Sequence, residues 1–174
     1  MLFINLKVLL AERNIRITQL SKDTGISRTT ITALCNNTSQ GIQFDTLNKI
    51  CNYLRITPQD FFLYAPYDYW LASIDLSGKN ICVCEFEIVS AAKRQRTYVM
   101  ANIDHSEKGT IYIGFSLPEP EGDEDTINEN TTFENFYNNL PIPIKTEFEN
   151  KTIAEILIKL GISHDVQVVD QWAI

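Results

Sequence analysis

Gly25 is the residue that most constrains this chain. Two short helical patterns, residues 17–24 and 28–35, are separated by only Gly25, Ile26 and Ser27. Glycine admits the positive φ of a left-handed helix cap, so the first segment is expected to stop there. Ser27 offers an N-cap hydroxyl to the second. Ser21, four residues before the glycine, is small enough for two helices to cross closely. Ile31, six residues after it, is a β-branched side chain that seats the second helix on a core, together with Leu34. Two short helices joined by such a turn match the helix-turn-helix motif.

The flanking segments extend the pattern. Leu6, Leu9 and Leu10 mark an earlier helix, and Leu47, Ile50, Cys51 and Leu54 mark one face of a helix over 45–54. Thr57-Pro58-Gln59-Asp60 combines an N-cap, a first-turn proline and a returning acid, which predicts a fifth helix. With the stretch Thr24-Gly25-Ile26-Ser27-Arg28-Thr29-Thr30-Ile31 and the run from Phe44 through Leu54, Pro58, Asp60 and Tyr64, residues 1–65 resemble the lambda-repressor-like, Xre/Cro family of helix-turn-helix domains. The resemblance covers a little over a third of the chain. It departs from the family at Ile17, where a polar residue commonly meets DNA phosphate, and at Arg16, where a Ser or Thr cap is usual.

The resemblance implies a double-stranded DNA operator as partner, with helix 28–35 in the major groove. Arg28, Thr29, Thr32 and Ala33 are then the base-reading residues. Arg28 can bond guanine O6 and N7 together, and the Thr29 methyl can meet thymine. Ser27, Thr30, Asn36, Asn37, Thr38 and Ser39 suit phosphate oxygens, with Thr18 or Gln19 replacing the contact that Ile17 cannot make.

Charge is divided unequally. Residues 1–65 hold seven basic and four acidic side chains, a net +3, while residues 66–174 hold eight basic and eighteen acidic, a net −10. Two modules with different partners are expected. A +3 head makes few phosphate contacts and binds weakly alone at physiological salt, so a homodimer is expected, paired by the second module.

That second module, 66–174, changes period. Residues 81–89 alternate, with Cys82, Cys84, Phe86 and Ile88 on one side. Residues 69–76, 97–103, 110–115 and 166–172 also read as strands. Phe133, Phe136, Tyr137 and Leu140 mark an amphipathic helix, and Thr152 with Glu155 reads as a capping box opening another. The fold class is therefore α + (α+β): five helices, then an α+β domain with a mostly antiparallel sheet. Either the sheet or the 133–140 helix is expected to pair the monomers. Lys93-Arg94-Gln95-Arg96 reads as a basic turn, and residues 119–125 as an acidic loop.

No enzyme is expected, and no cofactor or metal. Cys82 and Cys84 share a strand face with Phe86 and Ile88 and read as packing, while His105 and His164 lack ligand spacing with them. A self-cleaving Ser–Lys dyad would draw on Ser90, Ser106 or Ser116 with Lys93 or Lys108, but none has the expected context. No apolar run approaches the roughly 18–20 residues of a membrane span. The N-terminus has no signal-peptide pattern, and the four cysteines suit a reduced cytoplasm. The expected function is a sequence-specific DNA-binding regulator, a repressor of a bacterial or prophage operator. The alternative is an antitoxin or immunity-type protein whose second half binds a protein. An antirepressor or a toxin is the further partner these readings admit.

Overall fold

Leu6, Leu9 and Leu10 are all buried on α1 (Leu6–Glu12). α2 (Ile17–Thr24), α3 (Arg28–Cys35), α4 (Phe44–Leu54) and α5 (Pro58–Phe61) follow in the computed structural model. It describes every residue except Lys79, Ala92, Glu107, Lys108, Glu121, His164 and Asp165. Leu20, Ile31, Leu34, Ile50, Leu54 and Phe61 join the α1 leucines in one core. Arg16 precedes α2 in extended conformation with no side-chain cap, and the helix is regular from Ile17 onward. α5 opens with a reciprocal box. The Asp60 N–H donates to the Thr57 hydroxyl (3.3 Å), and the Thr57 N–H donates to the Asp60 carboxylate (2.8 Å).

The sequence reading did not foresee a two-stranded ribbon, β1 (Leu2–Ile4) against β2 (Phe62–Tyr64), with Leu2 opposite Tyr64 and Ile4 opposite Phe62. Three residues are too few for alternation to show. The ribbon limits α5 to one turn. The far edge of β1 is held by a side chain. The Ile4 N–H donates to Asn37 Oδ1 (2.6 Å), and Asn37 Nδ2 donates back to the Ile4 carbonyl (3.2 Å). Asn37 stands in for a third strand there, using its whole amide.

The chain divides into two compact units, Met1–Ala65 and Pro66–Ile174. The second is a five-stranded sheet in the order β3 (Asp68–Leu76), β4 (Ile81–Ser90), β5 (Lys93–His105), β6 (Ile111–Ser116), β7 (Val168–Ala173). The first four run antiparallel. β7 lies parallel to β6 because α6 (Glu124–Asn138) and α7 (Ile142–Lys159) carry the chain back across the sheet. Phe148 of α7 sits fully buried among Tyr69, Phe86, Phe136 and Trp172, with ring centroids 5.1 to 5.6 Å away. Cys82 and Cys84 are fully buried, and burial pushes the Cys84 thiol up to about 12.

Four expectations are corrected. Thr152 does not cap a helix. α7 begins ten residues earlier, after Pro141, and the buried Thr152 hydroxyl donates to the Phe148 carbonyl one turn back. Residues 93–96 are strand rather than turn. Their arginines pair across the ladder, Arg94 with Glu87 (3.3 Å) and Arg96 with Glu85 (3.3 Å) and Glu87 (3.4 Å), while Arg94 lies 4.9 Å over the Trp70 ring. The apolar face of the 133–140 helix is not available for dimerisation, because Phe133, Phe136 and Tyr137 are buried in their own unit. The acidic loop ends inside α6. Asp123 caps that helix, accepting from the Asp125 and Thr126 N–H groups, and Glu124 and Asp125 fill its first turn, where the helix dipole favours anions. Lys108 of the dyad candidates, His164 and Glu121 lie outside the described residues. Among the described residues no helix is long and apolar enough to cross a membrane.

Two stability losses are expected. Asn37→Ala removes two hydrogen bonds from β1 and should lower the stability of Met1–Ala65 by about 1–2 kcal/mol, read as helix loss by circular dichroism in urea. Phe148→Ala should cost the second unit about 3–5 kcal/mol. Both tryptophans, Trp70 and Trp172, lie in that unit, so their fluorescence reports it separately.

Candidate nucleic-acid interface

The turn between α2 and α3 is tied by short local bonds. Gly25 takes φ +73°, and its N–H donates to the Ser21 carbonyl (3.0 Å). The Ser21 hydroxyl donates to the Ile26 carbonyl (2.7 Å), so the small residue at the crossing also fixes the link. Thr24 donates from its hydroxyl to the Leu20 carbonyl (2.6 Å) and accepts from the Ile26 N–H (3.3 Å). Ile26 itself is buried. Ser27, in extended conformation, caps α3 by accepting from the Thr30 N–H, and its hydroxyl lies 2.8 Å from that of Thr30.

Ile31, Leu34 and Cys35 anchor α3 in the core. The opposite face carries Arg28, Thr29 and Thr32, all exposed, and the half-buried Ala33. Residues 28 and 32 are one helical turn apart, as are 29 and 33, so the four form a single outward strip. Arg28 enters no ion pair or hydrogen bond among the described residues, in contrast to Arg13, which reaches Glu12, and Lys49, which reaches Asp45. The strip has the donors and the methyl groups that base edges in a major groove require.

The polar residues beside it fall into two groups. Thr18, Asn36 and Thr38 are exposed. Thr38 closes the end of α3, with its N–H on the Ala33 carbonyl (3.0 Å) and its hydroxyl 3.4 Å from the same oxygen. The others are also held by internal partners. Asn37 braces β1. The Ser39 hydroxyl donates to the Gly41 carbonyl (2.6 Å). Gln19 donates to the Asp23 carboxylate, which also accepts from the Tyr53 hydroxyl (2.8 Å). These two bonds, Tyr53 first, hold the Asp23 carboxyl below its ordinary range. What they add to the folded state is therefore present above that ordinary range and lost as pH falls through the lowered value.

Phe44, which the sequence reading uses for the resemblance, is not among the DNA-contact candidates, and that reading begins the fourth helix one residue later. Phe44 is the first residue of α4, at the end of the same loop, and is 88% exposed. A large aromatic at a helix start beside a polar loop is the signal that could have found it.

Residues 5–66 match the Cro/C1-type HTH DNA-binding domain. The uncharacterized HTH-type transcriptional regulator YozG of Bacillus subtilis (strain 168) is 35% identical over 63 residues, which are 36% of this chain and 75% of that protein. A solved structure of a candidate DNA-binding protein from Bacteroides fragilis is 32% identical, with a TM-score of 0.33, over 36% of this chain and the whole of that one. With its turn, its buried anchors and this match over residues 5–66, the chain belongs to the Cro/C1-type HTH DNA-binding family.

Proposed function

We propose that this chain is a sequence-specific transcriptional regulator that represses from a DNA operator as a homodimer. Met1–Ala65 reads the DNA, and Pro66–Ile174 pairs the copies or receives a signal. The carrying observation is the outward strip of α3, where an unengaged Arg28 stands with Thr29 and Thr32 on a helix fixed by Ile31 and Leu34. Arg28 reads a guanine, and Thr29, Thr32 and Ala33 add thymine and minor base contacts. Thr18, Asn36 and Thr38 take phosphate oxygens, with Ser27 and Thr30 at the helix start. Asn37 serves the fold first, since both ends of its amide brace β1, while Gln19 and Ser39 each keep one local hydrogen bond, as Thr38 does. The sign of regulation is repression because blocking a promoter needs no contact with polymerase.

Dimerisation follows from the weak charge of the head. A net +3 supports few phosphate contacts, and two heads on half-sites one helical turn apart multiply them. The acidic start of α6, with Asp123, Glu124 and Asp125, favours a second reading, an antitoxin-type protein that docks a basic partner there. Recovery of the partner encoded beside the gene, with loss of binding on charge reversal at these residues, would select it.

The test of the main reading uses duplexes selected from random sequence by the full-length protein. Arg28→Ala should weaken the selected site by about 1–3 kcal/mol and relax one base pair, while Thr38→Ala should weaken selected and random DNA alike. An unchanged footprint and affinity for Arg28→Ala would overturn the placement of α3. The regulator is also proposed to be non-catalytic. Prolonged incubation at alkaline pH should leave one band at 19.9 kDa, and two fragments cut between residues 66 and 110 would reinstate a Ser–Lys protease.

A further inference from the structure

β3 is an end strand of the five-stranded sheet, paired on one side only, with β4. The outward N–H and C=O groups of such a strand are a template for another. Proteins guard these edges with prolines, lysines or short strands. β3 has nine residues, Asp68–Leu76, and no proline, lysine or arginine among them. Its one interruption is a bulge between Leu71 and Ser73, which leaves Ala72 out of the β4 ladder, exposed and with only a methyl side chain.

α7 runs along the same edge. The two enclose a groove of about 250 Å³, with residues 71–74 of β3 on one wall and Glu155, Ile158 and Lys159 on the other. Leu71, Ile74 and Leu76 lie opposite Phe86, Cys84 and Cys82, so they belong to the face that the helices cover. Ile158 is nonetheless 57% exposed and Leu76 50%. Large aliphatic side chains therefore stand open where backbone groups do too.

The charges of the groove favour a second copy as its occupant. Glu155 and Lys159 are exposed, one turn apart on α7. Among the described residues neither enters an ion pair, whereas Glu147 and Lys151, at the same spacing on the same helix, do. Such a pair is complementary to its own image under a two-fold axis. An axis perpendicular to the sheet through the groove sets β3 antiparallel to its copy and keeps both helix layers on one side. Residues 71–74 and 155–159 face each other across the groove, so one axis centres both walls, and Glu155 of each copy meets Lys159 of the other. Asp75 lies opposite Val83, on the face the helices leave open. The axis keeps the two copies' Asp75 four to five residues apart along the seam, about 13–16 Å, which is beyond the screening length at physiological salt. A purely basic or purely acidic partner would match only one of the two groove charges.

We propose that β3 pairs antiparallel with β3 of a second copy, joining the two sheets into one, with α7 packed on α7 across the seam through Ile158 and two Glu155–Lys159 pairs. The inference rests on the homodimeric reading given above and names its surface. Strands pair at about 4.7–4.9 Å and helices pack at about 8–10 Å, so helices along adjoining edges can touch as the strands join. The pairing satisfies both open edges and takes Leu76 and Ile158 out of water.

Sedimentation equilibrium on the full-length chain tests this, with unfolding followed by tryptophan fluorescence in parallel. The wild type should be a dimer. Glu155→Lys and Lys159→Glu should each raise the dimer dissociation constant at least about tenfold, and an equimolar mixture of the two should form a heterodimer tighter than either variant alone. A general effect of net charge would move the two variants in opposite directions. Ile158→Glu, at an exposed position, should dissociate the dimer without lowering the unfolding midpoint of the dissociated protein. Ile142→Glu, 80% exposed at the start of α7, should leave the dimer intact. Amide hydrogen exchange over residues 71–75 should slow as the protein dimerises. A wild-type dimer that both charge variants and Ile158→Glu leave unchanged would overturn this surface while leaving the dimeric reading standing. A wild type that stays monomeric at all concentrations would overturn both.

Discussion

The crossing of α2 over α3 is the constraint on which the DNA-facing surface depends. Three residues join the helices, and each has a fixed task. Gly25 supplies the left-handed turn, the buried Ile26 pins the link to the core, and Ser27 starts α3. The Ser21 hydroxyl on the Ile26 carbonyl closes the link from the other side. A larger residue at 21 would separate the helices and remove that bond at once. Because Ile31 and Leu34 are buried, the rotation of α3 about its axis is also set, and with it the direction in which Arg28, Thr29 and Thr32 point. A rigid scaffold aims a few polar side chains, and those side chains carry the recognition.

The two units divide the electrostatic work. A head of +3 is attracted to a polyanion only weakly, and a unit of −10 is repelled by it. Specific contacts rather than a broad basic surface are then what such a head has to hold DNA with. In the second unit three cations pair with the unit's own acids. The Arg94 and Arg96 guanidinium groups meet Glu85 and Glu87, and Lys151 meets Glu147. That arrangement accounts for the basic cluster at 93–96, which reads in the sequence as a turn.

Most of the first unit was legible because its signals are local. Leu6, Leu9 and Leu10, the Gly25 stop, the Ser27 cap and the Thr57–Asp60 box each act within one or two turns. What could not be read spans long separations. β1 and β2 meet across 58 to 62 positions with three residues each, and Asn37 reaches back 33 positions to Ile4. The phosphate-facing candidates were chosen as polar side chains in a loop, and polarity alone does not tell an exposed Asn36 from an Asn37 whose amide braces β1. In the second unit strand alternation located β4 well, since one side of it is fully apolar. Thr152 misled because a Thr followed three residues later by Glu has the same pattern at a helix start and in mid-helix. The cross-strand partners of Arg94 and Arg96 become visible only once the register of β4 on β5 is known.

The most direct measurement is a nuclear magnetic resonance titration of the full-length protein with a duplex selected from random sequence, following backbone amides. The account expects the shifts to concentrate on residues 27–33, with smaller ones at Thr18, Asn36 and Thr38, and little change across the sheet of the second unit. Shifts centred on β4 and β5, with α3 undisturbed, would contradict it.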